Sequence, residues 1–265
     1  MSKLPTSLRL LIFIGVLSIL WLPLAIPINW LLRHDSNLAT IVTMAVLFLE
    51  LLCLWQLWGK LVYGETNIFA RYGLEKSGRN SREFLSGLAI GFWVCLGLFI
   101  VEALLGWIEV KTPSANLLKI IAEGLLSACG ISLAEELLFR GWLLDELQQG
   151  YNKKQCLWIG AIMFALAHFI KPVAEIIRTG VTFPALVMLG LILTLAKYQH
   201  SDRLGTSIGI HAGLVWSYYI VNVGELIQYT NQVPVWVTGI NGNPIAGVMG
   251  LIFLTALMLV MTRNH

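Results

Sequence analysis

Eight long apolar segments, separated by short polar stretches, dominate the pattern of this chain. A transmembrane helix needs about 20 predominantly apolar residues, and most of the segments reach that length. The fifth and sixth are short for a full span, so we expect them to use flanking residues such as 151–155 and Tyr198, or to tilt little. The segments are 8–32, 38–58, 84–107, 117–144, 156–170, 183–196, 204–221 and 245–261.

The composition agrees with this pattern, because 57% of the residues are hydrophobic and 12% are charged. A soluble domain averages about 25% charged residues. The net charge of +3 is small, and no basic stripe with interleaved aromatic residues supports a nucleic-acid partner. No linker is long enough to separate two domains. The sequence therefore predicts an all-α polytopic membrane protein, one membrane domain over 1–265 with about eight transmembrane helices around a polar site.

The first segment resembles a signal peptide only at its start, where Lys3 and Arg9 precede the apolar run. The run continues to Leu32, beyond the roughly 7–15 residues of a signal-peptide core, and it lacks a clear cleavage site. We expect an uncleaved first span.

Lysine and arginine are distributed unevenly between the two sides that eight spans would create, which indicates the orientation. Arg140 lies inside a segment. The side that holds both termini is richer in lysine and arginine, so both termini are expected in the cytoplasm. The membrane would be a plasma membrane or an internal membrane such as a thylakoid. That side would carry Lys3, Arg9, Lys60, Arg71, Lys76, Arg79, Arg82, Lys153, Lys154, Lys197, Arg203 and Arg263, and the other Arg33, Lys111, Lys119, Lys171 and Arg178.

Three charged residues, Glu135, Glu136 and Arg140, interrupt the fourth apolar segment. An acidic residue at the middle of a membrane helix costs roughly 2.5 to 3.5 kcal/mol. Glu136 and Arg140 are four residues apart, so they share a helix face and can pair. Glu135 is rotated by about 100° from Glu136 and stays available as a general base. An ion-pair cluster that only fastens helices together is the alternative.

Two histidines lie in later apolar segments. His168 follows Phe164 by four residues, so both lie on one helix face, and a neutral imidazole could share a water with Glu135. His211 lies about 200° from Gly209 and therefore faces away from a stripe of small residues, towards a cavity where it could donate to an oxyanion. As alternatives, His168 lies near the end of its span and reaches the membrane interface, and His211 is hydrogen-bonded to a neighbouring helix.

The small-residue stripe consists of Gly205, Gly209 and Gly213 in the seventh segment, and the third segment repeats the spacing at Gly87 and Gly91. Glycines four residues apart allow two helices to approach closely. We expect helices three and seven to use such close approaches.

The motifs of 117–221 resemble, in their order, those of the CPBP family. They are Glu-Glu-x-x-x-Arg, then Phe-x-x-x-His, then a further histidine in a glycine-flanked span. That family comprises type II CAAX prenyl endopeptidases and bacteriocin-processing or immunity-type relatives. The resemblance implies an eight-helix intramembrane peptidase, with 117–221 as its catalytic core. It further implies that Glu135 and His168 activate water, that Glu136 and Arg140 support them, and that His211 holds the oxyanion.

This chain departs from the family's pattern at one position. The last motif usually continues His-x-x-x-Asn or Asp, and Val215 stands there instead. Valine cannot donate a hydrogen bond, and loss of one oxyanion donor costs roughly 10²–10³ in rate. Full activity would need another donor, such as Ser207 or Tyr218.

No cofactor is required by these motifs. The His-Glu-x-x-His helix of zinc proteases is absent, although Glu135, His168 and His211 could in principle form a His₂Glu metal site. The resemblance favours a metal-free glutamate mechanism. The expected partners are the lipid bilayer and a membrane-anchored protein or peptide substrate, with or without a lipid group.

Two other functions stay open. Val215 favours a catalytically silent scaffold or immunity-type binding protein. A proton-coupled transporter would use Glu50 and Glu135, but the chain lacks the internal repeat typical of such transporters. Glu102 and Glu123 are, like Glu50, expected mainly to have structural or cavity-lining roles.

Overall fold

The computed structural model describes residues 4–113 and 116–263, so Lys3 lies outside the described residues. This part of the chain is almost entirely helical, which confirms the all-α class. In chain order its α-helices are α1 (Thr6–Leu31), α2 (Ser36–Trp58), α3 (Ile68–Arg71), α4 (Gly78–Leu104), α5 (Leu117–Glu136), α6 (Leu144–Gln148), α7 (Lys153–Ala167), α8 (Val173–Thr179), α9 (Phe183–Gln199), α10 (Gly205–Val223), α11 (Val235–Thr238) and α12 (Val248–Arg263).

Five helical stretches within the described residues are long and apolar enough to cross a membrane, which makes this an integral, multi-pass membrane protein. Helices α7 and α12, of 15 and 16 residues, are shorter, and α10 carries more polar residues. All eight apolar segments lie on helices, but the count of eight spans stays a prediction. The five stretches are Thr6–Leu31, Ser36–Tyr63, Gly78–Leu104, Leu117–Gln148 and Val173–Gln199.

The sixth apolar segment is longer than the sequence indicated. Helix α8 and the short 3₁₀ turn Gly180–Thr182 run directly into α9, so the helical stretch begins at Val173 rather than at 183. Proline lacks a backbone N–H, and Pro184 in the first turn of α9 explains the break between the two helices. Arg178 and Lys197, both assigned to loops in the orientation argument, lie within this helical stretch, and the side of the membrane on which each lies stays a prediction.

Helix starts are marked by the expected polar caps. The side chains of Asp35, Ser77 and Asn152 accept hydrogen bonds from backbone N–H groups in the first turns of α2, α4 and α7. At α7, Gln155 returns a bond to the backbone of Asn152 and completes a capping box. Such side chains satisfy N–H groups that a helix start leaves without partners.

The predicted glycine seam joins α4 and α10, which run parallel. A Cβ on Gly209 would collide with the carbonyl oxygen of Phe84, and one on Gly91 with the carbonyl oxygen of Ile210. Only glycine allows the two backbones to lie so close. Helix α10 also contacts α5, where Trp216 donates to the carbonyl oxygen of Ile121 at 2.9 Å. Helix α10 therefore lies between α4 and α5.

A small antiparallel sheet ties the far ends of α4 and α10 together. Strand β1 (Ile108–Val110) pairs with β2 (Ile227–Tyr229), with Ile108 opposite Tyr229. Because each strand follows closely after one of the two helices, the sheet holds the parallel pair in register.

Candidate functional site

The two adjacent glutamates lie where an α-helix changes into a π-helix. Helix α5 ends at Glu136 and continues as the π-helix Leu137–Leu143, which leads into α6. Short π segments inside longer helices are rare in proteins overall, and those that occur are often found at functional sites. This one contains Arg140, and the ammonium group of Lys197 in α9 donates to the Arg140 carbonyl oxygen at 2.6 Å. A neighbouring helix thus stabilises the unusual backbone directly beside the glutamates.

Arg140, Glu136 and His211 form a buried chain of charge-assisted hydrogen bonds. Arg140 Nη1 donates to Glu136 Oε1 at 2.8 Å, and His211 Nδ1 lies 2.9 Å from the same oxygen. Arg140 Nη2 also donates to the carbonyl oxygen of Gly190 at 3.2 Å. The three charged or ionisable side chains are no more than 5% exposed. The predicted pairing of Glu136 with Arg140 is confirmed, and it compensates the cost of burying either charge alone.

Phe164 lies among the polar groups and packs against three of them. Its ring lies 4.3 Å from the guanidinium of Arg140, 4.7 Å from the ring of His168 and 6.2 Å from the ring of His211. The phenylalanine is completely buried. A cation over an aromatic face is attracted by the ring's quadrupole. Phe164 therefore holds Arg140 and both histidines against one rigid surface.

Glu135 points away from the pair of Glu136 and Arg140, as its position on the helix predicts, and its carboxylate lies close to both histidines. Its Oε2 atom lies 3.9 Å from Nε2 of His168 and 3.9 Å from Nε2 of His211. These distances are too long for direct hydrogen bonds. Oε2 is buried and has no hydrogen-bond partner within the described part of the chain. Three polar atoms thus surround one point, where a water molecule would find bonding partners.

The tautomer of His168 follows from its backbone contact. Its Nδ1 lies 2.8 Å from the carbonyl oxygen of Phe164, one helical turn earlier. A carbonyl oxygen only accepts, so Nδ1 carries the proton and Nε2 of the neutral ring is an acceptor. The nitrogen that faces Glu135 can therefore receive a proton from a molecule between them.

Glu135, Phe164, His168 and His211 line a cavity of about 320 Å³ whose walls are mostly apolar. The walls come from α4, α9, α10 and α12, through residues such as Leu98, Leu186, Leu214 and Phe253. No lysine or arginine is among the described residues that line it. The cavity can accommodate an uncharged, apolar segment beside Glu135.

Val215 lines the cavity, so the donor that its position usually supplies is missing there. Ser207 does not replace this donor, because its hydroxyl is buried and donates to the carbonyl oxygen of Leu193 at 2.8 Å. Tyr218 does line the cavity. Asn243, from the loop before α12, lines it as well.

A metal site is not evident from the side-chain arrangement. Within residues 4–113 and 116–263, no group of three or more His, Cys, Asp or Glu residues is arranged to hold a metal ion.

The other membrane acids lie elsewhere. Neither Glu50, Glu102 nor Glu123 lines the cavity that contains Glu135. Glu123 is exposed and 3.7 Å from Lys119, whereas Glu102 is buried with neither carboxylate oxygen bonded within the described residues. These positions give the transporter alternative no further support.

Three residues of the site were missed at the sequence level. Gly190 contributes only a backbone carbonyl, which leaves no mark in a sequence. Asn243 lies in a segment without a motif. Lys197 was visible as a charge at the end of an apolar segment, but such a lysine usually reaches the membrane surface, whereas this one is 3% exposed.

Comparison with known proteins agrees with the motifs. Residues 116–217 match the model of the family described as type II CAAX prenyl endopeptidase Rce1-like. The matched segment includes Glu135, Glu136, Arg140, His168 and His211, and it covers less than half of the chain. Searches of curated proteins and of solved structures found no match. The resemblance inferred from the motifs is confirmed for this segment.

Proposed function

We propose, on the premise that residues 116–217 are a segment of the type II CAAX prenyl endopeptidase family, that this protein is an intramembrane endopeptidase. It hydrolyses a peptide bond of a membrane-associated substrate with a water activated by Glu135 and His168. The observation that carries the proposal is the position of Glu135 Oε2, 3.9 Å from Nε2 of both histidines in an apolar cavity.

In the first step, a water between these atoms gives one proton to Glu135 while its second hydrogen bonds to Nε2 of His168. The resulting hydroxide attacks the carbonyl carbon of the scissile bond, and the carbonyl electron pair moves onto oxygen. In the second step the proton held by Glu135 passes to the amide nitrogen. The carbon–nitrogen bond breaks, which leaves a carboxylic acid and an amine, and the proton of the acid passes to the amine to give a carboxylate and an ammonium group. A general base in hydrogen-bond reach of water contributes about 10²–10⁴ in rate.

His211 stabilises the oxyanion from Nε2. Its Nδ1–H donates to Glu136, so the ring donates from Nε2 only when it carries both protons. In the proposed mechanism the Glu136 carboxylate that accepts from Nδ1 stabilises the imidazolium form of His211, as a carboxylate does for the catalytic imidazolium of serine proteases.

The surroundings strengthen each of these interactions. Electrostatic contacts in a site that excludes water are worth more than the same contacts in water. The apolar walls fit a substrate segment that enters from the bilayer, with or without a lipid group. In the proposed arrangement, 1–265 forms one membrane domain with 117–221 as its catalytic core, and both termini lie in the cytoplasm.

Proteolysis in liposomes tests the proposal. Wild type and Glu135→Gln are incubated with membrane-anchored and farnesylated reporter peptides, with and without a chelator. Glu123→Gln is the matched control, because Glu123 lies on the same helix, is exposed and pairs with Lys119. Cleavage that vanishes in Glu135→Gln, persists in Glu123→Gln and survives the chelator supports the metal-free glutamate mechanism. Loss with chelator indicates a metal at Glu135, His168 and His211.

One observation favours a second candidate function. Val215 places an apolar side chain on the cavity wall where the family usually has a donor, as expected of a silent relative that binds a membrane protein or peptide. A binding protein would keep its function in Glu135→Gln, whereas a peptidase would lose it.

A further inference from the structure

An oxyanion in the cavity needs more than one hydrogen-bond donor, and Val215 supplies none. The described side chains that line the cavity offer few replacements. Apart from the two histidines and the weak donor Cys95, only Tyr218 and Asn243 carry a donor there. Tyr218 directly follows residues 116–217 in the same helix, whereas Asn243 lies in the loop before α12, so the choice decides whether an element outside the matched helices completes the site.

Asn243 is held in one orientation. Its backbone N–H donates to the carbonyl oxygen of Ile240 at 3.1 Å, and its own carbonyl oxygen accepts from Ala246 at 2.9 Å. Its side-chain Oδ1 accepts from the backbone N–H of Ile245 at 3.2 Å. Because the amide oxygen is occupied in this way, the Nδ2 group is the end that remains free to donate.

The loop around Asn243 is clamped by close backbone packing. A Cβ on Gly239 would collide with the Asn243 carbonyl oxygen, and Gly239 itself has φ +117°, a conformation suited to glycine. Gly250, in the first turn of α12, lies equally close to the carbonyl oxygen of Pro244. A donor fixed before the reaction stabilises a developing charge without reorganisation.

The Tyr218 hydroxyl is positioned less firmly. No hydrogen bond holds it within residues 4–113 and 116–263, so it can rotate. Tyr218 also lies seven residues beyond His211, about 10 Å along the axis of α10. Asn243 reaches the cavity from a different element, the loop before α12.

From this arrangement we infer that the Nδ2 group of Asn243 donates the second hydrogen bond to the oxyanion, alongside His211. The inference rests on the proposed function. The loop before α12 thereby completes a site whose other reactive groups lie in 116–217, and it replaces the donor absent at Val215.

A trifluoromethyl ketone tests this without turnover. Such ketones add water and present a tetrahedral oxygen like that of the reaction intermediate. The probe is decanoyl-leucine trifluoromethyl ketone, followed by fluorine NMR, and the reference compound is the corresponding alcohol. Wild type is compared with Asn243→Leu and Asn243→Asp, which keep the size of the side chain and remove the amide donor, and with Tyr218→Phe.

Wild type is expected to bind the ketone more tightly than the alcohol. Asn243→Leu and Asn243→Asp should weaken ketone binding by about 100-fold, the loss typical of one oxyanion donor, and change alcohol binding less than about twofold. Tyr218→Phe should leave the ratio of ketone binding to alcohol binding unchanged. Alcohol binding also reports that the variants are folded.

Four results would overturn the inference. Equal losses for ketone and alcohol would show that Asn243 only shapes the cavity. Selective loss in Tyr218→Phe, with Asn243→Leu unchanged, would assign the donor to the tyrosine. A wild type that does not prefer the ketone would contradict the inference together with the proposed function, whereas a preference retained in every variant would contradict the inference alone.

Discussion

Lys197 Nζ donates to the carbonyl oxygens of Arg140 at 2.6 Å and of Tyr72 at 3.0 Å, although the lysine is 3% exposed. The first bond joins α9 to the π-helix that follows Glu136. The second joins α9 to the segment after α3. A buried ammonium thus donates to two backbone carbonyl oxygens, and it helps to hold the helix that carries Glu135 and Glu136 in its irregular form.

Lys197→Met should destabilise the protein. Methionine has a similar length but no donor, so two buried carbonyl oxygens lose their partner, at about 1–3 kcal/mol each. Thermal unfolding in detergent measures the loss. Lys154→Met is the control, because Lys154 is exposed, and it should unfold like wild type. Equal stability of the two variants would contradict the role given to Lys197.

Arg140→Met should destabilise the protein by about 3–5 kcal/mol, because it leaves the buried carboxylate of Glu136 without its cation. Denaturant titration of helix content in detergent micelles gives this value. Arg178→Met serves as the control, since Arg178 and its partner Glu175 are both about half exposed. If Arg140→Met unfolds at the same denaturant concentration as Arg178→Met, the pair with Glu136 is not a structural element.

Phe164→Leu should lower kcat/KM by at least about tenfold while the protein stays folded. Leucine fills much of the space but removes the aromatic face under Arg140, worth up to about 2 kcal/mol where water is excluded, and frees both histidine rings. The measurement is the steady-state rate of cleavage of a reporter peptide that wild type has first been shown to cleave. Phe69→Leu, in the short helix α3, is the control, and a similar loss there would show a general effect on packing.

Val215→Asn should restore tetrahedral-probe binding to a protein that lacks Asn243. Position 215 lines the same cavity, so an amide there can replace the one removed in Asn243→Leu. The double variant should bind the trifluoromethyl ketone at least about tenfold more tightly than Asn243→Leu alone. In the wild-type background the same substitution should have a small effect, because a donor is already present. Additive effects in the two backgrounds would show that the two positions act on different atoms.

Several parts of the site were predictable because they depend on distances along one helix. The pairing of Glu136 with Arg140, the separate direction of Glu135 and the turn from Phe164 to His168 all follow from 3.6 residues per turn. The glycine seam was predictable for a similar reason, since small residues at a spacing of four form one stripe. The role of Phe164 beneath Arg140 was not, because those two residues belong to different helices.

The amino-acid sequence by itself determined the class of the protein: long apolar segments must become helices in a bilayer, where each backbone group needs an internal partner. It also determined which residues carry charge at depth, and with them the family resemblance. Only the tertiary structure decided how α5, α7 and α10 bring Glu135 to 3.9 Å from both histidines. Only the tertiary structure shows that the Ser207 hydroxyl donates to the carbonyl oxygen of Leu193, that Lys197 is buried and that Asn243 lines the cavity. These contacts join positions far apart in the chain, and they depend on how α5, α7, α9 and α10 pack together, which the spacing of residues within one helix does not determine.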